Sequence, residues 1–220
     1  MNLVDVTHAF GGVPLVYDRA DGKYGLPVEG SSFKGTRELQ EGLYRLRGEF
    51  AHINGWMSAH SILCGGTYPG RGTGAHAIGE AIDLDGIVIN IPEPYVMTYG
   101  ESEYADSKML QPLKTLIACA CRRVFPLVLG DYYNKEHWDH LHVALSYSSG
   151  NRPSMEFTHR QSDVKLLQTT LNARRAVRLV VDGLFGPKTR EALRTILRVT
   201  NMSDAEAFDL LLERVVCGTL

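Results

Sequence analysis

Residues 81–91 read Ala-Ile-Asp-Leu-Asp-Gly-Ile-Val-Ile-Asn-Ile. Aliphatic and β-branched residues dominate, and the run becomes almost continuously apolar toward its end, as in a buried strand. Period-two alternation puts Ile82 and Leu84 on one side and Asp83 and Asp85 on the other. Burying a carboxylate without a partner costs on the order of several kcal/mol. Whatever fold the chain adopts must therefore bring a cation, hydrogen-bond donors or a metal ion to this strand.

The flanking patterns suggest what surrounds it. Residues 1–34 are rich in Gly, Pro and Asp and read as short strands or a loop-rich arm. Leu39, Leu43, Leu46 and Phe50 recur at helical spacing from Thr36 to Phe50. Pro92 and Pro94 are expected to end the central strand. A loop over 95–106 would then carry Tyr95, Tyr99 and Tyr104 beside a cleft. Ser107 can cap a helix to about Phe125 whose stripe is Leu110, Leu113, Ile117, Cys121 and Val124, with Pro112 tolerated in its first turns. Strands follow at 126–130 and 140–146, with a turn at 131–136.

After residue 146 the pattern changes. Residues 147–160 read as linker, and beyond them the periodicity is purely helical. Val164, Leu167 and Leu171 form one stripe. Pro187 sits at a helix start, and Ser203-Asp-Ala-Glu206 is a capping box before Phe208, Leu211, Leu212 and Val215. The fold class expected is α+β: an antiparallel sheet with flanking helices, then a small three-helix domain. The boundaries are 1–150 for the first domain, 151–160 for the linker and 161–220 for the second.

Bulk properties exclude more than they identify. Hydrophobic residues make up 44% and charged residues 22% of the 220-residue chain, which is ordinary for a globular protein. A formal charge of -2 favours neither nucleic acid nor an anionic membrane as partner. Residues 160–220 carry ten Lys and Arg against seven Asp and Glu, a mild excess that solvated faces alone can account for. Cys64, Cys119, Cys121 and Cys217 contain no CxxC pair, so neither a cysteine zinc site nor a disulfide scaffold is indicated. The N-terminus has no secretory signal pattern and no segment is apolar enough to span a bilayer, so a cytoplasmic origin and a monomer are expected.

The chemistry concentrates in two stretches. One supplies His76 and Asp83, with six residues between them. The other, His137-Trp-Asp-His-Leu-His142, supplies His137, Asp139, His140 and His142. His76 alone is an ordinary histidine in a Gly-rich turn. Together with Asp83 and His142 it makes a set of one carboxylate and two imidazoles. Catalytic zinc takes three such ligands and leaves a fourth position open. Asp139, three residues before His142, is placed to act as general base. His140 shares the His142 face and could hold a water or an oxyanion. His137 and Arg71 are the candidates for contact with substrate. His137, Asp139 and His140 could also be no more than a charged turn before a strand.

These residues carry a resemblance. His76-Ala-Ile-Gly-Glu-Ala-Ile-Asp83 resembles the His-x-x-Gly-x-Ala-x-Asp motif of D-alanyl-D-alanine peptidases of the lysostaphin/hedgehog type. Val128-Leu-Gly130 followed by His137-Trp-Asp-His-Leu-His142 is more closely similar to the C-terminal domain of extensin-like bacterial proteins, over roughly residues 35–146. The resemblance implies zinc on His76, Asp83 and His142, with Asp139 as base. The family's usual Ser-x-His is Gly74-Ala75-His76 here, and its usual Tyr-Arg or Cys-Arg becomes Tyr68-Pro-Gly-Arg71. Independently, Val164-Lys-Leu-Leu-Gln168, Leu171-Asn172, Val181-Asp-Gly-Leu-Phe-Gly-Pro-Lys-Thr189 and Ala192-Leu193 resemble a three-helix peptidoglycan-binding domain. Its usual Phe-Gln is Ile196-Leu197 in this chain.

Together these imply a zinc peptidase acting on bacterial peptidoglycan, of the kind a phage endolysin represents, cutting an amide bond inside the wall peptide. A carboxypeptidase trimming terminal D-Ala, and a non-catalytic wall-binding or virion protein with a structural metal, are the alternatives.

Overall fold

The computed structural model describes residues 2–19, 30–53, 59–71, 73–91, 93–99, 111–147, 149–174 and 177–220, with the side chains of 89–98 outside that description. It is a mixed α+β structure. The strands are β1 (Val4–Asp5), β2 (Leu15–Tyr17), β3 (Lys34–Gly35), β4 (Ala59–Gly66), β5 (Ala81–Ile91), β6 (Glu93–Thr98), β7 (Leu127–Leu129) and β8 (Leu141–Ala144). The helices are α1 (Arg37–Ala51), α2 (Gln111–Val124), α3 (Gln161–Ala173), α4 (Pro187–Leu197) and α5 (Asp204–Val216).

The main sheet runs β2-β4-β5-β8-β7, and β6 pairs with the far end of β5. β5 is the central strand. Its first half lies between β4 and β8, with Asp83 directly opposite His142. Its second half pairs with β6 from Gly86 to Ile91. All of these pairings are antiparallel, as expected. The exception is β2, which runs parallel to β4. Parallel neighbours need a long crossover, and the segment containing α1 provides it. The N-terminal arm thus contributes a strand to the sheet, besides the separate β1–β3 pair.

Two expectations are corrected. Residues 93–98 form strand β6 instead of a loop. Pro94 is compatible with this because, among the described residues, β6 pairs only with β5, and an edge strand tolerates a missing donor. Tyr99 does not flank a cleft. It is buried in the core, and Lys114 Nζ donates to its carbonyl at 2.9 Å. Tyr104, Ser107 and Leu110 lie outside the described residues.

Strand alternation divides the sheet. Ile82, Leu84, Leu141, Val143 and Val128 join the main apolar cluster with α1 and α2. Ala81, Ala144, Leu127 and Ala75 form a small separate cluster on the other face, the face shared by Asp83, Asp85 and His142. Helix α1 begins where the Thr36 hydroxyl accepts from Leu39 N, and buries Leu39, Leu43, Leu46 and Phe50. Gly42 is required by close packing. A Cβ there would lie 2.7 Å from the Phe125 ring.

The three helices after residue 160 form as expected, including the Ser203–Glu206 capping box and Pro187 at the start of α4. They share one apolar cluster with the preceding residues, with α3 and α5 lying against α2. The 151–160 stretch is itself packed. Arg152 pairs with Glu80, Phe157 stacks on Phe208 with ring centroids 4.5 Å apart, and His159 pairs with Asp204. Arg122 on α2 and Asp163 on α3, each 1% exposed, form a two-pronged ion pair at 2.8 and 3.0 Å. Arg122 Nη2 also donates to the Met155 carbonyl.

Removing one partner of a buried ion pair strands the other charge. Asp163→Ala is expected to lower unfolding stability by about 3–5 kcal/mol. Because α2, α3 and α5 share one core, the loss should appear as one cooperative transition in urea denaturation. A change below about 1 kcal/mol would mean that water reaches Arg122.

Candidate metal centre

The site is assembled on the polar face of β5 and β8. Antiparallel register puts Asp83 and His142 opposite each other with side chains on the same face. His76 arrives from the turn before β5. Gly79 N donates to the His76 carbonyl and Glu80 N to the Ala75 carbonyl, and Gly79 takes φ +72°, which glycine allows without strain. His76 Nε2, Asp83 Oδ1 and His142 Nδ1 form a triangle with sides of 3.0–3.1 Å.

That donor set suits a divalent cation such as zinc, with two borderline nitrogens and one hard oxygen. Tetrahedral zinc, with bonds of about 2.0–2.2 Å, separates neighbouring ligand atoms by about 3.3–3.5 Å. The triangle would need to open by only a few tenths of an ångström. Burial alone would raise the Asp83 carboxyl. The hydrogen bonds to His142 and His76 and the nearby imidazoles outweigh it and hold the group far below the usual carboxylate range. Asp83 is therefore an anion, as a metal ligand must be. His76 Nδ1 is buried and has no hydrogen-bond partner among the described residues.

The remaining candidates gather around the triangle. His140 Nδ1 lies 2.7 Å from Asp139 Oδ1, and its Nε2 lies 3.7 Å from Asp83 Oδ1. Asp139 thus holds the rear of the His140 ring, and the front faces the cluster. The His137 ring centroid is 5.2 Å from that of His140 and 5.9 Å from that of His142. Asn134, whose side chain caps the short turn Lys135–His137, also contacts His137 Nδ1. Burial and the charges of His140 and His142 push His137 down to about 4, so it is neutral at neutral pH.

Arg71 is exposed on a turn tied to the His76 turn by Gly70 N donating to the Ala77 carbonyl. It lines a cavity of about 480 Å³ with Tyr17, Lys34, Gly65, Gly66 and Tyr68. His137, Asp139 and His140 thus border the triangle, while Arg71 is linked to it only through the turn that carries His76.

Three neighbours were not anticipated. Tyr68 has φ +49°, a sparsely populated conformation for a bulky residue. Its ring lies 5.7 Å from the His76 ring and its hydroxyl donates to the Gly65 carbonyl. Burial pushes this phenol up to about 12, so it remains a neutral O–H. Asp85, fully buried, is gripped by Arg19 through Nε and Nη2 at 2.7 and 2.6 Å. Burial and the adjacent Asp18 carboxyl push Asp85 up to about 8 against the pull of Arg19. Sequence alternation placed Asp85 on the Asp83 face, but nothing local pointed to a partner 66 residues away.

Comparison with known proteins adds one finding. Residues 57–153 match the family described as extensin-like protein C-terminus. The match is somewhat under half of the chain. It spans Arg71, His76, Asp83, His137, Asp139, His140 and His142, and it leaves out Arg19 and all three C-terminal helices. No curated protein and no solved structure matches the chain.

Proposed function

We propose that this protein is a zinc-dependent peptidase that hydrolyses an amide bond within the peptide of bacterial peptidoglycan, in the manner of an endolysin. The observation that carries the reading is the tight His76–Asp83–His142 triangle with the Asp139–His140 pair beside it. A structural metal needs no such adjoining pair. Cell wall as substrate rests on the similarity of the matched segment to extensin-like C-termini and of residues 164–193 to peptidoglycan-binding domains.

Zinc, when bound, polarises a carbonyl and makes water more acidic. The protein's own groups do the rest. His76, Asp83 and His142 hold the ion, and the strand register fixes two of them relative to each other. Asp139 fixes the tautomer of His140 by accepting at Nδ1, leaving Nε2 toward the cluster to take a proton from the attacking water and return it to the leaving amine. The Asp139 carboxylate was expected to act as base directly. Its contact with His140 favours the pair acting as a unit. Neutral His137 and the turn bearing Arg71 flank the peptide.

Elemental analysis of the purified protein should find one zinc per chain, falling to a small fraction in His142→Ala. Full activity with zinc and every other divalent ion removed would overturn the assignment. Asp139→Ala and His140→Ala should both keep zinc and lose about a hundred- to ten-thousand-fold in rate. Their double variant should be little worse than either alone, because groups acting as a unit are not additive. Zinc loss in Asp139→Ala would make it a ligand. Near-normal turnover in both single variants would place the base elsewhere. Mass spectrometry of digested sacculi identifies the bond. New amino termini inside the peptide are expected, and release of terminal D-Ala alone would replace endopeptidase by carboxypeptidase.

A further inference from the structure

We propose that Lys165 is a positioning residue for His137, setting the turn that carries it against the metal triangle, an inference that rests on the peptidase reading above. The matched segment ends at residue 153, and Lys165 lies beyond it on α3. Its Nζ donates to the Tyr133 carbonyl at 2.8 Å and lies 5.3 Å from the centroid of the Tyr133 ring. Both contacts suit an ammonium, the first as a hydrogen bond and the second through the negative face of the ring. The Tyr133 ring in turn meets the His137 ring edge-on, with centroids 6.0 Å apart. The His137 ring then adjoins those of His140 and His142. A path of three contacts thus runs from α3 to the triangle.

The turn needs such support. Strand register fixes Asp83 and His142, and His140 is tied to Asp139. His137 precedes β8 and has exposed neighbours in Lys135, Glu136 and Trp138. Tyr132 fastens the start of the turn by packing on the main apolar cluster and donating to the Val128 carbonyl. Tyr133 is outside that cluster, so its ring is placed by Lys165 on one side and His137 on the other. Asn134 Oδ1 holds one nitrogen of the imidazole at 2.5 Å, and the Tyr133 ring limits its rotation. Lys165 is itself anchored. It is half-buried, and a Cβ on Gly183 would lie 3.3 Å from its Cγ, so the Asp182–Gly183 turn packs along its stem. The buried Gln168 holds that turn to α3, donating to Asp182 Oδ1 and accepting from Gly183 N. Among the described residues Lys165 forms no salt bridge, so its ammonium is committed to the Tyr133 turn. Docking of α3 on α2 is secured separately by Arg122, Asp163 and the shared core. Loss of the ammonium should therefore leave the fold in place and loosen His137.

The test compares Lys165→Met, which keeps the stem but loses charge and donor, with Lys165→Arg, which keeps both, in the full-length zinc-loaded protein. The substrate is a mixture of soluble muropeptides, so that a change in wall binding cannot imitate a change at the site. Lys165→Met should lower kcat/KM by about tenfold, mainly through KM, because a misplaced substrate-facing group weakens alignment. Zinc content and the urea midpoint should stay at their wild-type values. Lys165→Arg should restore most of the loss, since a guanidinium also donates and lies over aromatic rings. Tyr133→Leu should behave like Lys165→Met, and the double variant should be no worse than either, because both act through one path. A second readout needs no turnover. The NMR signals of the His137 ring, assigned with His137→Gln, should move in Lys165→Met and stay in place in Lys165→Arg. The proposal is overturned if those signals do not move in Lys165→Met, if KM is unchanged, or if the variant loses zinc or stability in proportion to activity. A wild-type protein that cuts no muropeptide would sink the peptidase reading, and the ring signals would still decide whether Lys165 holds His137.

Discussion

The Asp83 carboxylate is the constraint from which the site follows. It is an anion on the central strand of the sheet, 8% exposed, and such a charge survives only if the surroundings compensate it. The strand opposite supplies His142 through the antiparallel register, and the turn before β5 supplies His76. His142 could not be moved by one residue without losing the contact, because a one-residue slip carries a strand side chain to the other face. The small cluster of Ala75, Ala81, Leu127 and Ala144 lies on the same face and packs the ground beneath the triangle. The requirement to hold one buried charge therefore fixes register, turn geometry and donor set together.

Buried charge is used twice more, and each time it ties a distant segment to the matched one. Arg19–Asp85 spans 66 residues and Arg122–Asp163 spans 41. Such pairs contribute little net stability compared with apolar packing, but breaking one is costly, so they favour a single docking arrangement over near alternatives. The 57–153 segment is therefore tied to the chain on both sides of it. It lacks β2, which extends the sheet beyond β4, and the helices α3 and α5 that cover α2. The wall-binding character proposed for those helices has to coexist with this packing role, because part of their surface is already occupied by α2.

What could be read in advance was whatever depends on neighbours in sequence. Residues 81–91 form β5 end to end, the stripe from Leu39 to Phe50 is the buried face of α1, and Ser203 and Glu206 make the capping box. The triangle was legible because alternation, a local rule, fixes which side Asp83 and His142 occupy. The misses are all non-local. Strand β6 was hidden by its prolines, whose cost depends on whether a strand lies at an edge. Tyr99 looked like a cleft residue because nothing around it reveals that Lys114 and the core close over it. Parallel pairing of β2 with β4 depends on the path of the chain through α1. Arg19 and Tyr68 find their places only because Gly65 and Gly66 leave room, and a glycine pair in sequence reads equally well as a turn.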